Sequence, residues 1–401
     1  MRGALLAAFL MTAAVPGHAA ELRAAELHAA ELRAIVPPDA RPETVFDWRT
    51  QACEDWDVPD APARAWRSAD GTVHLLAAHT TARALTGPSL DRVAPDCRVV
   101  FDSGHQDDPA RYDDRGWLAA PYTTDGRTVY ALVHNEFHGH ERRALCPAGD
   151  YAACWWNSVT LAVSEDGGRR FRGAGYVAGI PYRFRGDLGR RAGLFGPSNI
   201  VAQDGWYYAT AFAEETGAQK RGVCLMRTRD LSAPGSWRGW DGRDFTVRFL
   251  DPYAASASSE TPAGHVCQPM PAGRLPFTVT GLVRHAPSGL TLAVMAGRHA
   301  ERPGAEPVSG VWVSSSADLR SWSVPRLAWA APLMTDRDRC GTAETLYYPS
   351  ILDPDSLSRN FEDTDGDAFL YLTRLRMSGC KPTRERDLVR VPIHIDAVAD
   401  R

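Results

Sequence analysis

Apolar positions along this chain recur in short alternating runs separated by turns built on Gly, Asp and Ser, from about Trp48 to the C-terminus. Alternation with a period of two marks strands with one face buried, and few stretches show the 3.6-residue period of a helix. The first unit reads Ala65-Trp66-Arg67, a turn at Ala69-Asp70-Gly71, then Val73 to Leu76. A second runs Trp117 to Tyr122, turns at Asp125-Gly126, returns through Val129 to Val133 and continues at Val159 to Val163. A third combines Ser198 to Val201, Asp204-Gly205, Trp206 to Thr210 and Val223 to Met226. The fourth is Thr278 to Val283, Ser288-Gly289, Leu290 to Met295 and Val311 to Val313. The fifth is Tyr347 to Leu352, Asp365-Gly366, Phe369 to Thr373 and Leu388 to Val391.

A second pattern is superimposed on these units. Ser164-Glu165-Asp166, Thr228-Arg229-Asp230 and Ser316-Ala317-Asp318 each place a hydroxyl two residues before a carboxylate, with an aromatic further on at Phe171, Trp237 and Trp322. Such a pair ties down a tight turn through its own backbone, and recurrence at intervals of about 65 to 90 residues marks a repeated supersecondary unit. Small antiparallel sheets that cannot bury both faces alone can stack radially. The expected fold is all-β: a five-bladed β-propeller with four-stranded antiparallel blades. A two-sheet sandwich is the rival, but it needs fewer residues and has no such period.

Composition adds the compartment. Arg2, the apolar run Ala4 to Val15 and the small residues Pro16-Gly17-His18-Ala19 read as a signal peptide over 1–19. Three pentapeptides from Ala20 to Ala34 follow, and a period of five keeps Leu on no single helical face, so 20–44 is expected as a helical or disordered linker ahead of a propeller at 45–401. Eight cysteines in an exported chain favour disulfides. Pairing by proximity gives Cys53–Cys97, Cys146–Cys154, Cys224–Cys267 and Cys340–Cys380. The net charge of −4, with no basic block, argues against nucleic acid as a partner, and no later segment is apolar enough for a membrane span. The mature chain is expected to be a secreted or periplasmic monomer.

The Ser-x-Asp-Leu-x-x-Trp outer turn and the Asp-Gly-x-Tyr-Tyr inner hairpin resemble the five-bladed propellers of glycoside hydrolase families 32 and 43, and Ser164 to Phe171 is similar to the Asp-box of six-bladed sialidases. The resemblance spans about 45–395 at the level of blade architecture. It implies a carbohydrate ligand and a base supplied by an Asp near the start of blade one, where Pro59-Asp60-Ala61-Pro62 stands. Where those families carry Trp-Ala-Pro-Asp in blade two, this chain has Trp117-Leu118-Ala119-Ala120-Pro121-Tyr122. Where they carry Glu-Gly-Pro in blade three, it has Phe195-Gly196-Pro197. The acid must therefore come from elsewhere.

Inner strands start at one face of a propeller funnel and second strands return to it, so polar residues at those places should converge. Asp60 as base and Glu136 as acid form the candidate catalytic pair, with Glu214 and Glu215 as rivals for the acid. Arg64, Trp117, His134, Asn199, Glu214, Arg298 and Arg374 are the candidate substrate-binding residues. A set mixing carboxylates, imidazoles and guanidinium groups suits a polar, hydroxyl-rich small molecule. The run His134-Asn135-Glu136-Phe137-His138-Gly139-His140-Glu141 has a metal-like composition but leaves a strand for a loop, so it is read as pocket edge and no metal ligand is assigned. No cofactor is expected; a structural calcium at the acidic turns Asp353 to Ser356 or Asp363 to Asp367 stays open. Two functions remain: hydrolysis of a glycosidic bond, or carbohydrate binding without turnover, with an interaction scaffold behind both.

Overall fold

The computed structural model describes residues 30–336 and 339–399. The expected signal peptide lies outside the described residues. Two strands precede the first blade: β1 (Ala30–Ile35) and β2 (Glu43–Phe46), followed by a single helical turn at Trp48–Gln51. Blade one is β3 (Arg64–Arg67), β4 (Val73–Leu76), β5 (Ala82–Gly87) and β6 (Ala94–Phe101); blade two is β7 (Arg115–Tyr122), β8 (Val129–His138), β9 (Trp155–Ser164) and β10 (Arg172–Ala178). Blade three comprises β11 (Ala192–Phe195), β12 (Val201–Gln203), β13 (Trp206–Ala213), β14 (Gly222–Thr228), β15 (Arg238–Gly239) and β16 (Val247–Arg248). Blade four is β17 (Val279–His285), β18 (Thr291–His299), β19 (Val308–Ser316) and β20 (Arg326–Ala330). Blade five is β21 (Glu344–Leu352), β23 (Asp367–Ser378) and β24 (Lys381–Ala399), while the two-residue β22 (Asp363–Thr364) crosses to pair with β17.

Packing shows how these meanders form a ring. The buried side chains fall into five main clusters, and each draws on two consecutive blades. Trp66 and Phe101 pack with Val133 and Phe171 between blades one and two; Leu161 and Val177 meet Ala211 and Met226 between two and three. Leu225 and Phe245 meet Leu282 and Met295, Val294 and Val313 meet Leu370 and Val391, and Tyr371 and Leu388 return to Leu75 and Leu90. The last cluster joins blade five to blade one, so the ring closes after five meanders. Each sheet is apolar on both faces because each has a neighbour on both sides, so many strands are buried at nearly every position rather than on one face alone as the alternation suggested.

The linker expected at 20–44 differs from the structure over its second half. Ala30–Ile35 pairs antiparallel with the far end of β24, from Ala30 opposite Ala399 to Ile35 opposite His394, and supplies the fourth strand of blade five. Leu32 and Ala34 are buried while Arg33 and Ile35 are exposed. The pentapeptide therefore alternates in and out as a strand does, and burial against Val391 and Val313 overrides its local preference for helix. All four cysteine pairs form as proximity suggested. Among the described residues no helix is long and apolar enough to cross a membrane.

The Ser/Thr-x-Asp turns behave as the sequence implies. Ser164 donates its hydroxyl to Asp166 at 2.6 Å, and the same carboxylate takes the backbone N–H groups of Arg169 and Arg170 at 3.0 Å each. Asp318 accepts from Arg320 and Ser321, and the Trp322 indole donates to the Leu319 carbonyl. Two further copies, Ser68/Asp70 and Thr123/Asp125, close the first hairpins of blades one and two. Ser164 is opposite Val129, at the end of β9 remote from Glu136 and His138. The turns lie on one face of the ring and the polar cluster on the other.

Candidate functional site

Alternation along β8 puts His134, Glu136 and His138 on one side of the strand and Asn135 and Phe137 on the other. Pairing in register sets Arg115 of β7 opposite Glu136 and Trp117 opposite His134. Asp60 enters from the segment before β3, where its backbone N–H donates to the Ala77 carbonyl at 2.8 Å. Its carboxylate accepts from the Trp117 indole at 3.3 Å and the Tyr348 hydroxyl at 3.4 Å, lies 3.7 Å from His79 Nε2, and is ion-paired with Arg386. Tyr348 reaches it from a bulge in β21, with φ at +57°. A non-glycine residue held in that region marks a place where the surroundings dictate the backbone.

Burial pushes the Asp60 carboxyl above its ordinary range; Arg386 and His79 oppose this, and Glu136 lies close enough for its charge to push the same way as burial. Burial lowers the imidazoles of His79 and His134, which favours their neutral forms. Glu136 is itself 8% exposed, with one oxygen 2.7 Å from His138 Nε2 and the other 3.9 Å from His134 Nδ1. Rings line the way between the two carboxylates and blade three. His79 stands 5.6 Å from Trp117, Trp117 5.9 Å from His134, His134 5.8 Å from Phe195 and Phe195 5.2 Å from Trp155. Arg191 lies over both Trp155 and Phe195 and is paired with Glu214, which Arg221 also holds. Two carboxylates, neutral imidazoles and an aromatic wall in one place can grip a sugar ring and exchange protons with it.

Asp60, Trp117, His134 and Glu136 thus meet, with Glu214 at the blade-three rim through Arg191. The remaining candidates do not. Arg64 is 3% exposed and gives its guanidinium to the carbonyls of Ala119 at 2.8 Å, Ala63 at 3.1 Å and Thr280 at 2.6 Å. It stitches blades one, two and four along the axis, and burial without a carboxylate partner pushes its pKa down to about 9. Asn199 uses both ends of its amide on the Leu282 backbone, clipping blade three to blade four. Arg374 is locked at 2.7 Å to Asp387, and Arg298 is exposed on β18 with no ion pair among the described residues. The arginine at Asp60 is Arg386, which the sequence reading missed. It sits on β24 opposite Leu375, one position along from the Arg374–Asp387 pair. Asp114, just ahead of β7, is taken up by Arg142 and by the backbone N–H of His138. A cleft of about 310 Å³ opens between blades one and two beside Arg111, Tyr112 and Asp113, and neither Asp60 nor Glu136 lines it.

No protein-family model matches the chain, and no curated protein sequence matches it. Solved structures do. A family 117 glycoside hydrolase from the marine bacterium Zobellia galactanivorans superimposes with a TM-score of 0.50 at 11% identity, over 92% of each chain. The chain has the β-propeller fold of glycoside hydrolases. An α-L-arabinanase of Cellvibrio cellulosa, solved with arabinohexaose, aligns at 15% identity and TM-score 0.47 over 84% of this chain and 92% of its own. A putative glycoside hydrolase of Parabacteroides distasonis aligns at 12% and 0.46, covering 92% and 96%. These identities speak to architecture alone, and the resemblance read from the outer turns and inner hairpins extends that far.

Proposed function

We propose that this is an exported carbohydrate-active propeller that binds a glycan at the Asp60–Glu136 face and hydrolyses a glycosidic bond there. The observation that carries the reading is the convergence of a partly buried carboxylate, Asp60, and a buried one, Glu136, from different parts of the chain on a wall of indole, phenyl and imidazole rings. Asp60 serves as the base that takes a proton from water, and Glu136 protonates the departing oxygen. That division of labour is a single displacement, so the first sugar released carries the inverted anomeric configuration. Trp117 and Trp155 offer faces for stacking, and Arg191 with Glu214 closes the rim. The four disulfides suit an oxidising compartment and so favour export.

One observation favours binding without turnover: Asp60 is already ion-paired with Arg386, and Glu136 is hydrogen-bonded to His138. A screen of aryl-glycosides and polysaccharides against the wild type, Asp60→Asn and Glu136→Gln separates the two. Hydrolysis lowered by at least about a thousand-fold in both variants supports the enzyme. Glycan binding with no product in any of the three selects the binding propeller, and hydrolysis that survives both substitutions rules out the pair.

A further inference from the structure

The end of β8 holds a cluster that the hydrolysis reading does not use. His138, His140 and Glu141 each bring one ligand atom to within 4.8 Å of the others. His138 is 5% exposed and its Nε2 faces Glu136 Oε2 at 2.7 Å, while its Nδ1 is buried with no partner among the described residues. The Nδ1 of His140 is likewise buried and unpartnered. Two buried imidazole nitrogens left without partners, beside a carboxylate, are costly unless something accepts their lone pairs.

We propose that His138, His140 and Glu141 bind a zinc ion. With Nε2–H donating to Glu136, the neutral His138 ring must present a lone pair at Nδ1, and a carboxylate behind a histidine is how metal-bound imidazoles are oriented. Two nitrogens and one oxygen form the donor set of a borderline ion such as zinc; calcium and magnesium prefer oxygen alone. Three protein ligands leave the fourth position of a tetrahedron for water or a sugar hydroxyl, beside the Tyr151 ring, whose centroid is 5.3 Å from that of His138 and 4.9 Å from that of His140. Glu141 also takes Arg115 at 2.6 Å and lies 3.8 Å from Arg142 Nη1, so the ion shares this carboxylate with guanidinium groups and replaces neither. The tight turn at Gly139–Glu141 ends the strand alternation, which would have sent Glu141 to the face opposite His138 and His140.

The site is tested on the full-length, tag-free protein after dialysis against chelator, so the result is independent of any hydrolysis. Titration with Zn2+ is expected to give about one equivalent bound at micromolar metal, and Co2+ to give the intense visible bands of a four-coordinate ion. His140→Gln and Glu141→Gln should weaken binding by about 100-fold, and Glu136→Gln, acting behind His138, by about 10- to 100-fold. His394→Ala should leave it unchanged; it controls for loose adherence of metal at the exposed His394–Asp367–Asp396 group. Zn2+ should also shield His138 and His140 of the wild type from diethylpyrocarbonate, read by mass spectrometry, a measurement that needs no variant to fold. No uptake at micromolar zinc, uptake indifferent to His140→Gln in a folded protein, or modification of both histidines unaffected by zinc would each overturn the assignment.

Discussion

Glu362→Gln is expected to make the protein more stable at pH 8 and to leave it nearly unchanged at pH 4.5. Glu362 precedes β22, where one carboxylate oxygen accepts from the Tyr122 hydroxyl at 3.1 Å and the other, buried, has no partner among the described residues. Burial, with a smaller contribution from the charge of Asp363, pushes its pKa from 4.5 to about 7, against hydrogen bonds that pull the other way. A carboxyl whose pKa is raised by folding resists ionisation in the native state. The stability it allows is therefore fully present below the unfolded pKa and is lost as pH rises through about 7. At about 1.4 kcal/mol per pH unit, the rise corresponds to about 3 kcal/mol as an upper bound for this incompletely buried group. Glutamine keeps the acceptor for Tyr122 and the shape of the side chain, but never carries the charge. Urea unfolding followed by tryptophan fluorescence, disulfides intact, from pH 4.5 to 8.5, should show wild type and variant diverging progressively, by about 2 to 3 kcal/mol at the upper end. Curves that stay parallel across the range would refute the argument that this carboxylate is ionised at a cost.

Three other substitutions probe the frame. Gly168→Ala should cost about 2 to 4 kcal/mol and lower the thermal midpoint, because a Cβ there would stand 2.4 Å from Trp66 Cζ2 at a φ of +97°. Arg64→Met should destabilise by about 3 to 5 kcal/mol in chemical denaturation by stranding three carbonyls on the axis, whereas a substrate-binding arginine would change ligand affinity and leave the unfolding midpoint alone. Leu32→Ala, outside every blade expected from the sequence, should cost about 2 to 4 kcal/mol by the same assay, because Leu32 packs in the cluster between blades four and five.

The parts of this fold legible in the sequence are those fixed by neighbours along the chain. Asp125-Gly126 and Asp204-Gly205 announce hairpins because a left-handed glycine is needed there, and the cysteines pair as they do because each couple lies within one blade or its flanking loops. β1 was not legible, since the strand it pairs with is at the other end of the chain and its own pentapeptides favour a helix. The site was legible as a set of polar residues at strand ends but not as a selection among them. Whether an arginine faces the funnel depends on what it meets across the sheet: Arg374 meets Asp387, while Arg386, next along β24, is free to turn to Asp60. Asn199 and Arg64 sit where ligand-binding residues were expected, yet the backbones of neighbouring blades use their donors first.

The pairing of Ala30 with Ala399 also has a topological consequence. The hydrogen bonds between β1 and β24 seal the ring inside blade five and hold residues 30 and 399 side by side there. A linker of a few residues joining 399 to 30 would turn the latch into a peptide bond, and the chain could then be reopened between any two blades. If the seal is what holds the ring, such permutants should fold with all five blades intact, and their order of synthesis would change without changing the funnel.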